Sequence, residues 1–420
     1  MNASPRDRTI DAARACAIAG VVAGHWLITG LVPGPDGVTT ASPLSTMPAL
    51  APVTWLLQTL GLLFFAGGYA AARRPIRRPG TRGGVARLVR AALALLAGLA
   101  LVLFTGAALG VPAATLRTIT GLVVSPLWFL VPYLGLRAAA GPLRRVVSRV
   151  GVLAVLPPIA MVAAGDLGLL PGPVVLPAAW AVPWLLGMTL AARDEGRTLR
   201  ATGEPAETST RSTSGPTDAP PRSAGELTNT PPRSASRPTN TPAPGASHPT
   251  NTPAPGASGP ADAPPSGACG WIGAALVCNG AMVLAALILF AGYPVSAVGV
   301  PGQGRSNLDP PSLAAVALAV TQIGVFLMLR KPLARLLRHD RAWRPVAALN
   351  RVAVPVYLGH QSVLLAVAGA AALLDPAMPG LLTAPGGTDW IWLRLAWLPV
   401  LGCVLALLVV PQSIRNAPAE

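Results

Sequence analysis

The sequence predicts an all-α, polytopic membrane protein of about ten transmembrane helices with both termini cytoplasmic, and three observations point there. Of its 420 residues 52% are hydrophobic and only 11% are charged, more apolar surface than one soluble core could enclose. The apolar residues gather in runs of about 20, the length that crosses a bilayer as a helix. The formal charge of +16 sits in short arginine clusters between those runs, the pattern of connections kept on the cytoplasmic side of a membrane. That distribution does not build a phosphate-binding face, so the expected partner is the lipid bilayer and not nucleic acid.

In order, the runs predict helices near residues 10–32, 50–72, 91–111, 121–139, 150–165, 174–192, 271–291, 312–329, 347–371 and 390–410. The first is read as a retained helix and not a cleaved signal, because Arg14 and His25 interrupt it and nine spans follow. The fifth is short and contains Pro157 and Pro158. Pro126 and Pro132 in the fourth, Pro177 and Pro183 in the sixth and Pro355 in the ninth are expected to bend their helices and make room for a cavity.

Sidedness follows from the cations. The connection after the second run holds Arg73, Arg74, Arg77, Arg78, Arg82, Arg87 and Arg90, and that after the fourth holds Arg144, Arg145 and Arg149. The connection after the eighth holds Arg330, Lys331, Arg335, Arg338, Arg341 and Arg344. All three lie on the side of the N-terminus, while the opposite connections carry little beyond Arg117, Arg305 and Arg394, with acids such as Asp36, Asp166, Asp309, Asp375 and Asp389.

Two membrane parts, 1–192 and 269–420, are expected on either side of a polar stretch, 193–268, rich in Pro, Thr, Ser and Ala. Such a stretch lacks the apolar residues for a core and reads as a disordered cytoplasmic linker. Within it Pro238–Ser247 recurs as Pro249–Ser258, a tandem duplication too short and polar for a solenoid unit. The four cysteines, Cys16, Cys269, Cys278 and Cys403, are scattered, and neither a disulfide framework nor a metal site is expected.

Two of only four histidines, His25 and His360, fall inside apolar runs. Ionisable groups are costly there, and each is a functional candidate; the ordinary alternative is a histidine satisfied by a neighbouring helix. His25 lies eleven residues beyond Arg14 and His360 nine beyond Arg351, which at the helix rise puts them about 16 and 14 Å above those anchors. The two imidazoles are thus expected at similar depth, although spacing cannot say that they face one another. An imidazole in a partly dry cavity suits a general base or a transient acyl carrier. Arg14 shares a helix face with Asp11 at i, i+3, and with Arg8 it forms a cationic edge able to receive phosphates; the other reading is a pair of interfacial anchors.

Asp11, Arg14 and His25, with ten residues between the arginine and the histidine, resemble the first helix of the acyltransferase-3 family of membrane enzymes. Further stretches agree in order. Leu62–Gly68 is similar to the family's small-residue second helix, and Pro126-Leu127-Trp128-Phe129 to its Pro-Leu-Trp-Phe element. Ser306–Pro311 and Asn350-Arg351 followed by Val356–Gln361 resemble a subset associated with actinobacteria. The chain departs from that subset at Asp309, where Asn is usual, and at Gly359, where Trp is common.

The resemblance implies acyl transfer from acyl-CoA, most simply acetyl-CoA, to a hydroxyl of an extracytoplasmic glycan, lipid or exported metabolite, at the plasma membrane of a bacterium. It implies His25 as base or acyl relay, Arg14 with Arg8 as the residues engaging the donor, and Asp11 as the group that orients Arg14. His360 and Gln361 would line the same cavity, with Trp128, Asn307, Asn350 and Tyr357 as further cavity residues and no metal; for Asn307 a turn role before Pro310-Pro311 stands equally beside that reading. A proton-coupled secondary transporter is the competing class, since buried His, Arg and Asp with bent helices also describe an ion pathway. Four spans almost devoid of ionisable residues and the lack of an inverted repeat stand against it. A binding or assembly subunit that has lost thioester cleavage is the third.

Overall fold

The computed structural model describes residues 7–73, 81–202, 268–300 and 304–415. Among the described residues ten helical segments are long and apolar enough to cross a membrane: Arg8–Ile28, Pro48–Ala72, Leu88–Ala108, Ala113–Ala138, Ala140–Asp166, Gly172–Arg197, Gly270–Phe290, Leu313–Leu336, Ala353–Ala372 and Thr388–Val409. The tandem repeat lies outside the described residues. The stretch expected to leave the helix at residue 193 does not do so: the sixth helix continues to Thr202. The apolar run ends near residue 192, but helix formers and an ion pair at Asp194 carry the helix on.

Several segments are interrupted where the sequence suggests one continuous helix. The second is a 3-10 turn, Pro48–Val53, then a single helical turn, Thr54–Leu57, then Leu60–Ala72. The carbonyls freed at this break are taken up from the eighth helix, whose Gln322 Nε2 donates to the carbonyls of Trp55 at 3.2 Å and Gln58 at 3.0 Å. Broken helices survive at membrane depth only with such partners or beside a cavity. The expected ninth helix, 347–371, is two helices: Asp340–Arg351 and Ala353–Ala372, meeting at Val352.

Among the described residues, the arginines assigned to loops are largely helical. Arg144, Arg145 and Arg149 lie on Ala140–Val150, and Arg330, Lys331 and Arg335 lie in the last turns of the eighth helix. Amphipathic and basic turns lower the local hydropathy without ending the helix, so the apolar runs understate its length.

The first helix ends at Ile28, and the chain beyond it forms an antiparallel hairpin, β1 Gly30–Gly34 and β2 Gly37–Ala41, in place of the predicted helix to residue 32. Gly37, at φ +120°, closes its two-residue turn in a conformation that favours glycine. The hairpin docks on the fourth segment, where Thr115 accepts from the Val38 amide at 2.9 Å and Thr118 donates to the Val38 carbonyl at 2.8 Å.

At the other end of the first helix, Asp7 caps it by accepting from the Thr9 amide at 2.8 Å. The same carboxylate receives Arg330 Nη2 at 2.6 Å, as does Asp194, and the Tyr69 hydroxyl reaches both acids. Four helices are thereby joined, and Arg330 is corrected from a loop cation to the centre of a partly buried ion-pair cluster. Burial of Asp7 acts to raise its pKa, but the bonds from Thr9 and Arg330 outweigh it and hold the carboxyl below the usual 3.8. A depressed carboxylate stabilises fully above its unfolded pKa and progressively less as pH falls below it. Asp7→Asn, which can still cap, should therefore unfold more easily than wild type at pH 7, by about 1 kcal/mol after solvent screening. The two proteins should converge as the pH is taken below 3.8. Thermal melts in detergent at the two pH values check this, and a gap that persists in acid would contradict it.

Candidate active site

His25 stands in the last turn of the first helix, and small residues allow close approach to the broken second segment. A Cβ on Gly24 would lie 3.3 Å from Leu57 Cβ, and one on Gly20 would press into Thr59, whose hydroxyl donates to the Ala17 carbonyl at 2.8 Å. The break at Gln58–Thr59 thus falls beside the helix that carries His25.

The ninth helix brings His360 and Gln361 to the same place. Its break at Val352 sets Pro355 in the first turn, where no intrahelical hydrogen bond uses the amide, so the expected bend at Pro355 is replaced by a new helix start. His360 is fully buried and Gln361 nearly so. The His25 and His360 rings lie 5.1 Å apart between centroids at 44°. Gln361 Nε2 is 3.4 Å from His25 Nδ1, and Trp26 donates its indole N–H to the His360 carbonyl at 2.9 Å. His360 Nδ1 is 2.7 Å from the Tyr357 carbonyl oxygen, which can only accept. Nδ1 therefore carries a hydrogen, and Nε2 keeps its lone pair without a partner. The Gln361 Oε1 is likewise buried and unpartnered.

In front of His25 opens a cavity of about 500 Å³, a size that suits a small-molecule site. Its polar wall includes His25, Gln58, Thr54, Ser306, Asp309, Trp128 and Tyr357, and its remaining lining is mostly aliphatic. The Ser306–Asp309 part belongs to the loop before the eighth helix, the end of the bundle opposite the Asp7–Arg330 cluster.

Of the residues picked from sequence, His25, Trp128 and Tyr357 line the cavity, and His360 and Gln361 stand behind His25. Asn307 does not line it: its Nδ2 donates to the carbonyls of Pro294 and Ser296 and its Oδ1 accepts from Ser312, so it shapes the loop that presents Ser306 and Asp309. Asn350 is also elsewhere, on the Asp340–Arg351 helix, bonding the Asp11 carbonyl at 2.7 Å and bracing the first helix near its start. Asn350 was expected as a cavity residue and Asn307 as a cavity or a turn residue; each spends its amide on backbone carbonyls.

At the far end of the first helix, Arg14 Nη1 lies 3.8 Å from Asp11 Oδ1, with Arg14 a quarter exposed and Asp11 buried. Arg8 donates to the Leu337 carbonyl at 2.7 Å and lies over the Trp343 ring. Arg14 is thus held by a carboxylate and open to one side, while Arg8 is partly committed to protein groups.

Sequence reasoning missed Gln58, Gln322 and Arg394. Gln58 and Gln322 were visible as polar residues in apolar runs, and Arg394 had been read as an outer-connection cation. It lies inside the tenth helix, within the range predicted for that helix, and is fully buried rather than on an outer connection.

Comparison with known families places residues 7–411 on the family model of an acyltransferase domain. No curated protein and no solved structure matches the chain. The matched stretch holds all ten membrane segments, the paired histidines and the cavity, and so the chain belongs to the acyltransferase-3 family and is a multi-pass membrane O-acyltransferase.

Proposed function

We propose that this enzyme moves a short acyl group, most simply acetyl, from cytoplasmic acyl-CoA to a hydroxyl of an extracytoplasmic glycan, lipid or exported small molecule. It does so in the plasma membrane of a bacterium, with both termini cytoplasmic. The observation that carries this reading is the position of His25: its ring borders a cavity of about 500 Å³ while a second imidazole and an amide back it from the ninth helix.

The donor supplies the activated thioester carbonyl. Arg14, held by Asp11 and partly exposed, is the group suited to the donor's phosphates, because guanidinium binds phosphate through a rigid fork. Arg8 adds charge beside it. At the other end of the helix His25 takes the proton of the acceptor hydroxyl as the oxygen bonds to the acyl carbon. As the carbon–sulfur bond breaks, the imidazolium returns that proton to the departing sulfur, so the base is regenerated and atoms balance. Positioning two substrates on one imidazole accounts for much of the expected acceleration.

Gln361 sets which nitrogen of His25 can act. With its Nε2 toward Nδ1, the imidazole hydrogen belongs on His25 Nε2; a half-turn of the amide presents Oε1 and leaves Nε2 free as the base. Gln361→Leu removes both options and should lower turnover by about ten- to a hundred-fold with the donor KM near wild type. Steady-state kinetics in membrane vesicles check it; a mutant that keeps wild-type turnover would remove Gln361 from the mechanism.

The transfer itself is tested with inside-out vesicles given radiolabelled acetyl-CoA on the exposed cytoplasmic face. Label should enter acceptors enclosed in the lumen, and only with active enzyme. Label confined to molecules on the cytoplasmic face would contradict the transmembrane direction.

A further inference from the structure

Arg394 lies in the tenth helix, where a charge is costly, and its side chain is fully buried. No carboxylate lies within ion-pair distance of it among the described residues. A leucine or methionine would fill the same space without desolvating a charge, so the guanidinium needs a specific reason. Its donors supply one. Nε donates to the Trp26 carbonyl at 2.6 Å, Nη2 to the Thr29 carbonyl, and Nη1 to the Gly380 carbonyl at 3.0 Å.

Trp26 and Thr29 belong to the C-terminal end of the first helix, where carbonyls lack intrahelical donors and the backbone dipole favours a cation. The Trp26 peptide directly follows His25, and the Trp26 indole donates to the His360 carbonyl. One side chain thus holds the turn that carries His25, and through Trp26 that turn is tied to the helix that carries His360. The Trp390 ring, 5.6 Å from the guanidinium, covers it within its own helix, and Gly380 adds the loop between the ninth and tenth helices.

We infer that Arg394 is a positioning residue for acyl transfer: it locks the last turn of the first helix so that His25 stays in register with His360 and Gln361 at the cavity wall. It touches neither substrate. The inference rests on His25 acting in transfer, and it goes beyond that reading by making the geometry of His25 depend on a residue from the end of the chain. An arginine meets this need where lysine does not, since its planar fork serves three carbonyls that lie in different directions, whereas an ammonium on a flexible stem serves fewer at once.

The test compares wild type, Arg394→Lys, Arg394→Met and His25→Ala in vesicles with radiolabelled acetyl-CoA. Rates are normalised to monodisperse protein in detergent. Arg394→Met should lose about 100-fold in kcat, the scale of a misplacement of about 1 Å. Its KM for acetyl-CoA should stay within about two-fold of wild type, because the donor site is about 16 Å away along the first helix. Arg394→Lys keeps the charge and most of the volume; it should remain folded and fall about ten-fold in kcat with the same KM.

A merely structural arginine would lower the yield of folded protein and leave kcat per folded molecule unchanged, and that result for Arg394→Lys overturns the inference even if Arg394→Met fails to insert. A kcat loss matched by a rise in KM also overturns it. Full activity in His25→Ala would instead remove the reading of His25, and is recognised independently of the arginine variants.

Discussion

His25→Gln should retain the folded enzyme and lose about two to four orders of magnitude in acyl transfer, the usual contribution of a positioned general base. Glutamine fills similar volume and can bond Gln361, so the wall of the cavity is kept while the one imidazole that lines it among the described residues is lost. The loss should fall on kcat, because in the proposed reaction the donor's phosphates are met by Arg14, at the opposite end of the first helix. His360 does not substitute: it is fully buried behind His25 and does not line the cavity. His360→Gln is accordingly expected to cost less than His25→Gln, and the reverse order would exchange their roles. Kinetics of both variants in vesicles, at matched membrane levels, decide the point.

The second large effect is on folding. The second and sixth helices cross backbone to backbone. A Cβ on Gly68 would run into the Trp184 carbonyl oxygen, and one on Gly187 into the Phe65 carbonyl oxygen. In a bilayer, close packing at small residues takes over the part that water exclusion plays in soluble proteins. Neither neighbour can yield, since each is backbone in a packed helix. Gly68→Val or Gly187→Val must therefore push the helices apart, at a cost of about 3 kcal/mol or more. The displaced Trp184 and Phe65 are among the most buried side chains. Both variants should show a strongly lowered midpoint in detergent melts. Gly98→Val, on the third helix with open space around its Cα, is the control and should melt as wild type. Equal midpoints for all three would refute the crossing.

The ten membrane segments were legible because an apolar run of about 20 residues is a property of the run itself. Their interruptions were not. The break at Gln58–Thr59 depends on Gln322 from the eighth helix, and that at Val352 on a change from an amphipathic to an apolar helix whose residues alone would continue without a gap. The helix rise gave the similar depth of His25 and His360. That they face one another depends on the rotation of two helices, fixed by Trp26, Gly20 and Gly24 against their neighbours. The turn role of Asn307 was legible from the prolines that follow it, but Asn350 was not legible as a backbone clamp, since an amide side chain serves a ligand or a carbonyl equally well. Arg394 was misread because a charge near the edge of an apolar run looks like a boundary; two of its carbonyl partners, Trp26 and Thr29, lie at the end of the first helix, remote in sequence.

The central claim, that the imidazole at the cavity wall moves an acyl group onto an extracytoplasmic hydroxyl, is tested most directly by comparative mass spectrometry. Envelope glycans, lipids and secreted metabolites are compared between cells making wild type and His25→Ala at equal membrane levels. The account predicts one class of molecule that carries an acyl-sized mass increment in wild type and lacks it in the variant. Identical acylation in both, with a solute instead accumulating on one side of the membrane, would contradict it and mark His25 as part of a transport pathway.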